Sequence, residues 1–212
     1  MKGNKNIVDC YDKTAKAYAA KFMDELTKKH LDRLLLRAFA TENKQAGKFI
    51  DLGCGPGQTT KFLFDCGIQD IVGTDISAEM IQTAKEINPQ IPFEVADMLN
   101  LYYANKTFAA VVAFYAIVHF TEEELVRSFQ EVRRILKEKG EFLFSFHVGD
   151  QVVQVNDFLD HPVSIDFHFF ETNKVVQLLT QNGFETIDVI ERQAYKEVEY
   201  PSKRAYIWVK AI

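Results

Sequence analysis

Residues 49–60 read Phe-Ile-Asp-Leu-Gly-Cys-Gly-Pro-Gly-Gln-Thr-Thr. An apolar run at 48–52 gives way to glycines on alternate positions, Gly53, Gly55 and Gly57. Glycine has no Cβ, so a chain built this way can turn sharply and pass close to a ligand. The pattern predicts a strand, a tight turn, and a helix over 59–66 stopped by Gly67. A turn ahead of a helix amino terminus is a natural nucleotide site. The dinucleotide pattern GxGxxG, however, would place its third glycine at 58, and that residue is Gln58. Asp51 stands just before the turn, where a carboxylate would repel a pyrophosphate and suits a cationic ligand better.

Working outward, apolar strands are expected at 70–74, 93–95, 108–114, 141–147, 184–190 and 205–210. Two helices are expected within 7–40, where Leu31, Leu34, Leu35 and Phe39 keep helical spacing. Ser77 should cap a helix through Ile87, with Pro89 beyond its end. Thr121 and Glu124 form the pattern of a capping box, opening a helix expected to reach Lys139 and stop at Gly140. Residues 148–170 read as a long loop. A helix over 173–182 follows, with Glu171 as its expected side-chain cap and Gly183 closing it. The unbroken apolar character of Phe108 to Phe114 suits a parallel strand buried on both faces. Alternation of strand and helix makes the class α/β with a mostly parallel sheet. Ligands of such sheets sit at the carboxyl ends of the strands, so residues 51–58, 75–80, 97–98, 114–119 and 147–150 are the ones to inspect.

Composition bounds the rest. The 212 residues are 47% hydrophobic and 26% charged, which excludes a largely disordered, collagen-like or disulfide-scaffold chain. A net charge of -5 gives no overall attraction to nucleic acid or anionic lipid. Eighteen Phe and eight Tyr predict an aromatic core and an aromatic-lined pocket. Cys10, Cys54 and Cys66 form no CxxC pair and, with no apolar run of leader length at the start, read as reduced thiols of a cytoplasmic protein. Phe108 to Val118 is shorter than the roughly 20 residues that span a bilayer.

The strand ends carry acids. Asp75 closes the second strand, where a carboxylate typically accepts from both ribose hydroxyls. Asp97 follows the third and can accept from an adenine amine, with Met98 against the ring. Asp51 for a cation, Asp75 for a ribose and Asp97 for an adenine describe S-adenosylmethionine more closely than NAD. The blocks FIDLGCGPGQTT, GTDIS, ADM, FAAVVAFYAIVHF and LKEKGEFLFSF, in this order across 49–146, resemble the class I S-adenosylmethionine-dependent methyltransferases. The resemblance implies a Rossmann-like sheet of seven strands, mostly parallel, with helices on both faces and the last strand antiparallel. It places Asp51, Gly53, Cys54, Gly55 and Gly57 around the methionine part of the donor. Asp75 falls on the ribose, and Ile76, Asp97 and Met98 fall on the adenine. The backbone of Phe114 would receive the methionine amino group. The opening VDCYDKTAKAYAAKF is similar to an amino-terminal helix that closes over the donor, with Tyr11 and Tyr18 at its aromatic positions. One domain is expected, comprising a helical lid at 1–45, a donor-binding core at 46–147 and an acceptor side at 148–212.

The second half is similar to a bacterial subgroup of these enzymes and leaves the acceptor open. Base-modifying relatives resemble one another in an (Asn/Asp)-Pro-Pro-(Tyr/Phe) block or a Pro-Cys pair. Here Ala113 to Ile117 has neither, and no proline precedes a cysteine. A small-molecule acceptor methylated at oxygen or nitrogen is therefore expected, with no nucleic-acid or membrane partner, in a monomer or homodimer. His147 is the first candidate for a general base and His119 the second. His161 and His168, with Asp160 and Asp166, fit no zinc or iron spacing, so no metal is expected. Cys54 reads as a small packing residue, and Tyr115 as either pocket or packing. The alternatives are a non-catalytic binding protein of the same fold and, less well supported, a nicotinamide oxidoreductase.

Overall fold

The computed structural model describes residues 2–212, with side chains from residue 5 onward. Helix α1 (Lys2–Phe22) buries Cys10, Thr14, Ala15 and Ala19, one stripe at helical spacing. A single 3-10 turn (Glu25–Thr27) leads to α2 (His30–Asn43), whose buried stripe is Asp32, Leu36, Phe39, Ala40 and Asn43. The next elements are β1 (Phe49–Leu52), α3 (Gln58–Asp65), β2 (Ile71–Asp75), α4 (Ala78–Ile87), β3 (Phe93–Val95) and β4 (Phe108–Phe114). They are followed by α5 (Glu122–Ile135), β5 (Leu136–His147), β6 (Val152–Phe158), β7 (His161–His168), α6 (Thr172–Gln181), β8 (Phe184–Arg192) and β9 (Arg204–Ala211).

Seven strands form one sheet in the order β3-β2-β1-β4-β5-β9-β8. β1 to β5 run parallel, and β9 lies antiparallel between β5 and β8. The chain order reverses between β1 and β4, so a crevice opens beyond their carboxyl ends. Period-two alternation sends β5 to two cores. Phe142, Phe144 and Phe146 stack toward α5 and α6, while Leu143 joins Phe39, Phe49, Ile81 and Trp208 on the other face. Helices therefore cover both faces.

Three local expectations need correction. Residues 148–170 are not a loop: β6 and β7 pair as an antiparallel hairpin whose base closes on a Val148–Phe170 bridge. The turn is Leu159–Asp160, with φ of 55° and 63°, a primed turn without its customary glycine, which is why it carries no sequence signal. Helix α5 ends at Ile135 rather than Lys139, because Leu136 is fully buried and pairs with Phe108 in the sheet. Glu171 occupies the N-cap position of α6 without a side-chain cap; instead Thr172 Oγ1 donates to Glu191 at 2.6 Å. By contrast, Ser77 Oγ accepts from Met80 N and the Thr121–Glu124 capping box is complete.

Candidate active site

A cavity of about 430 Å³ opens at the carboxyl ends of the parallel strands, beneath α1 and the β6–β7 hairpin. Every residue expected to hold the donor borders it except Gly57, which lies behind in the turn. Two glycines show why the turn needs them. Gly53 has φ of 67°, and a Cβ there would sit 2.5 Å from that of Ala116. Gly57 has φ of 91°, with the Phe93 ring 2.8 Å from where a Cβ would be.

Asp51 is buried, accepts from Thr60 Oγ1 at 2.6 Å, and is pushed up to about 7 by burial. A cation beside it would restore its charge. Asp75 accepts from Gly55 N and Ser77 N, both at 2.9 Å, and burial raises its pKa. Those bonds fix both carboxylate oxygens while leaving lone pairs for a diol. Asp97 accepts from Leu99 N at 2.8 Å, turning the chain so that Met98 borders the cavity. Cys54 Sγ donates to Gly55 O, and burial keeps the thiol protonated, which agrees with packing rather than nucleophilic use. Ile76 and Phe114 border the cavity from the ends of β2 and β4.

Tyr11 and Tyr18 meet edge to face at 6.1 Å, and each ring approaches Phe158 of the hairpin. The Tyr11 hydroxyl lies 2.7 Å from His119 Nε2, and His119 Nδ1 lies 2.8 Å from the Asp166 carbonyl. The carbonyl can only accept, so Nδ1 carries the proton and Tyr11 donates to Nε2. Both ring nitrogens of His119 are thus engaged, joining α1, the end of β4 and β7. Burial lowers its pKa to about 4. His147 stacks on Phe169, and its Nδ1 lies 2.7 Å from Ser202 Oγ. Burial, with Arg204 and Lys29 nearby, lowers it to about 4, so it is neutral at physiological pH.

Sequence reasoning left Tyr115 open between pocket and packing and missed other parts of the cavity wall. Tyr115 takes φ of 56°, rare for a bulky residue and held by bonds from its N to Ser145. Lys29, Asp32, Glu199 and Arg204 also border the cavity, from α2 and the approach to β9. No motif marks them, because they meet only through tertiary packing. Val153, Val155 and Phe167 were hidden in the supposed loop.

The residues fit a sulfonium nucleoside. Besides the acids, Gln58 Oε1 is buried without a hydrogen bond beside the glycine turn, an acceptor in want of a donor such as an ammonium. Comparison with known proteins agrees. Residues 49–140 match the family described as "Methyltransferase domain". An uncharacterised protein of Methanocaldococcus jannaschii is 34% identical over 140 residues, 66% of this chain and 51% of its own. Phosphoethanolamine N-methyltransferase 3 of Arabidopsis thaliana is 26% identical over 172 residues, 79% of this chain and 33% of its own. A crystal structure of an S-adenosylmethionine-dependent methyltransferase from Methanosarcina mazei superposes with a TM-score of 0.68 at 18% identity, covering 78% of this chain and 92% of that one. The chain spans about half the length of the first of these curated relatives and a third of the second. Residues 49–140 thus match a methyltransferase domain, and the seven-stranded sheet has the fold of the S-adenosylmethionine-dependent methyltransferase on which it superposes. Among the described residues no helix is long and apolar enough to cross a membrane.

Proposed function

We propose that the protein transfers a methyl group from S-adenosylmethionine to a small-molecule acceptor, at oxygen or nitrogen, by in-line displacement. The observation that carries this reading is the covered cavity: α1 and the hairpin roof it, and the chamber of about 430 Å³ has the size of a small-molecule site. A relative named for N-methylation, the Arabidopsis phosphoethanolamine enzyme, favours nitrogen.

Bound S-adenosylmethionine supplies a methyl group already activated by its positive sulfur. Asp75 holds the ribose, Asp97 and Met98 hold the adenine, and Gln58 Oε1 with the Phe114 backbone receives the ammonium. Asp51 supports the positive charge of the ligand. Tyr11, Tyr18 and Phe158 exclude water from the chamber and align the acceptor, which is most of what a displacement at a sulfonium asks of a protein. The amino-terminal helices act as the lid and residues 148–212 shape the acceptor side. His147 serves as base in the tautomer whose Nδ1–H faces Ser202 Oγ, which leaves Nε2 a lone pair. His119 acts as a latch, since both its nitrogens are occupied.

Calorimetric titration tests the donor reading. S-adenosylmethionine and S-adenosylhomocysteine should bind in the micromolar range and NADH should not; NADH binding alone would overturn it. With an acceptor in hand, His147→Ala should slow turnover about tenfold or more while donor affinity stays at the wild-type level. Equal turnover would remove His147 from the chemistry.

A further inference from the structure

A charged cluster borders the cavity and is built from segments far apart in the chain. Lys29 Nζ sits 2.6 Å from Glu25 Oε2 and 3.8 Å from Glu199 Oε1, over the face of Tyr115. Arg192 lies behind. It grips Glu199 through two nitrogens, at 2.6 and 2.8 Å, and reaches Asp32 Oδ1 at 3.0 Å. Tyr206 also donates to Asp32 Oδ1, at 2.7 Å. Arg204 Nε lies 3.5 Å from Glu199 Oε1, and Arg204 Nη1 donates to Tyr200 O and Ser202 Oγ. Three carboxylates face three cations, so the cluster is formally neutral.

Two of its buried atoms lack hydrogen bonds: Asp32 Oδ2, in a residue 1% exposed, and Arg204 Nε, in a residue 3% exposed. Both side chains border the cavity, as does Lys29, whose ammonium has one close carboxylate for its three protons. An unbonded acceptor and two cations thus lie at one wall, the two unbonded atoms themselves covered by their neighbours and Arg204 Nε paired only loosely with Glu199. Buried polar groups in that condition call for a partner.

We propose that Lys29, Asp32 and Arg204 form a subsite for an α-amino-acid-type head group on the acceptor. Its ammonium meets Asp32 Oδ2 and its carboxylate meets Lys29 and Arg204. The inference rests on the small-molecule reading above and narrows it. A lone amine would add unbalanced positive charge beside Lys29 and Arg204. A lone acid would add negative charge beside Asp32 and Glu199. Only a group carrying both keeps the buried cluster neutral while satisfying both kinds of open atom. Phe22, Leu26, Val153, Val155 and Phe169 border the same cavity, so the rest of the acceptor is apolar. The donor has an amino-acid head too, but Gln58 Oε1 beside the glycine turn is already there for its ammonium.

The test titrates three probes with one body and different heads into protein loaded with S-adenosylhomocysteine: L-phenylalanine, phenethylamine and hydrocinnamate. L-phenylalanine should bind about tenfold or more tighter than the others, the worth of one charge-assisted hydrogen bond. Asp32→Asn and Lys29→Met should each erase that preference while leaving S-adenosylhomocysteine affinity unchanged, which also shows that the variants fold. If Asp32→Asn does not fold, Lys29→Met carries the test alone. Equal binding of the amine or the acid, or binding of none of the three, overturns the proposal. So does a variant that loses S-adenosylhomocysteine yet keeps methylthioadenosine, which lacks the amino-acid head; the cluster would then belong to the donor. Failure of wild-type protein to bind S-adenosylhomocysteine takes down the donor reading instead, and this proposal with it.

Discussion

At the residue scale, the proposed donor site buries its acids, which raises Asp51 and Asp75 until a partner arrives. Asp75 has both oxygens positioned by backbone N–H groups before any ribose arrives. Asp75→Ala removes the acceptors for two hydroxyls and should weaken S-adenosylhomocysteine binding by about 1.5–3 kcal/mol; unchanged affinity in calorimetry would remove Asp75 from the ribose. Asp51 gives a pH dependence. Burial holds its carboxyl at about 7, and a nearby cationic ligand favours the ionised form, so its pKa falls on binding. Binding then releases a proton, and affinity rises as pH climbs through about 7. Titrations between about pH 6 and about pH 8 should show Kd falling severalfold, and Asp51→Asn should flatten the profile. Cys54, flanked by two of the glycines, shows the limit of proximity: its thiol stays protonated and inert.

At the element scale, the hairpin is the part of the cavity's cover that local sequence hides. Val153 and Val155 alternate with exposed residues, yet Leu159–Asp160 supplies neither Asn nor Gly. Both turn residues sit at positive φ, which costs non-glycine residues energy. Replacing Leu159→Asn together with Asp160→Gly should relieve about 1 kcal/mol and slow hydrogen exchange of the hairpin amides about fivefold. Faster exchange would mean that the native turn is better supported than its dihedrals suggest. Helix α5 teaches the opposite lesson. Its start was legible from Thr121 and Glu124, while its end was decided by Leu136 joining the sheet against Phe108.

At the scale of the whole molecule, the cluster around Arg192 joins the amino-terminal helices to the last two strands. Arg192 touches Asp32 in α2, Glu199 before β9 and Tyr206 within β9. Glu199 holds Arg192 so closely that its own carboxyl is kept below the usual range despite burial. Arg192→Met would strand Asp32 and Glu199 as buried charges, a loss of about 3–5 kcal/mol. The melting temperature should drop by about 10 °C, and a drop of less than about 2 °C would show that water enters and screens the cluster.

The amino-acid sequence determined the elements whose signals are local. The strand–glycine–helix unit at 49–66, the acids at strand ends, the caps at Ser77 and Thr121, and the alternation that makes a parallel α/β sheet all depend on near neighbours and on residue type. Those same residues line most of the part of the cavity we assign to the donor, because a nucleoside is held by turns that directly follow strands. Only the tertiary structure decided the acceptor wall. Lys29, Asp32, Tyr115, Glu199 and Arg204 come from three distant stretches, and all but Tyr115, which sequence left open between pocket and packing, look like ordinary surface or packing residues by themselves. Long-range contacts bury them together, and burial is what turns solvated charges into a neutral cluster with open hydrogen-bonding atoms.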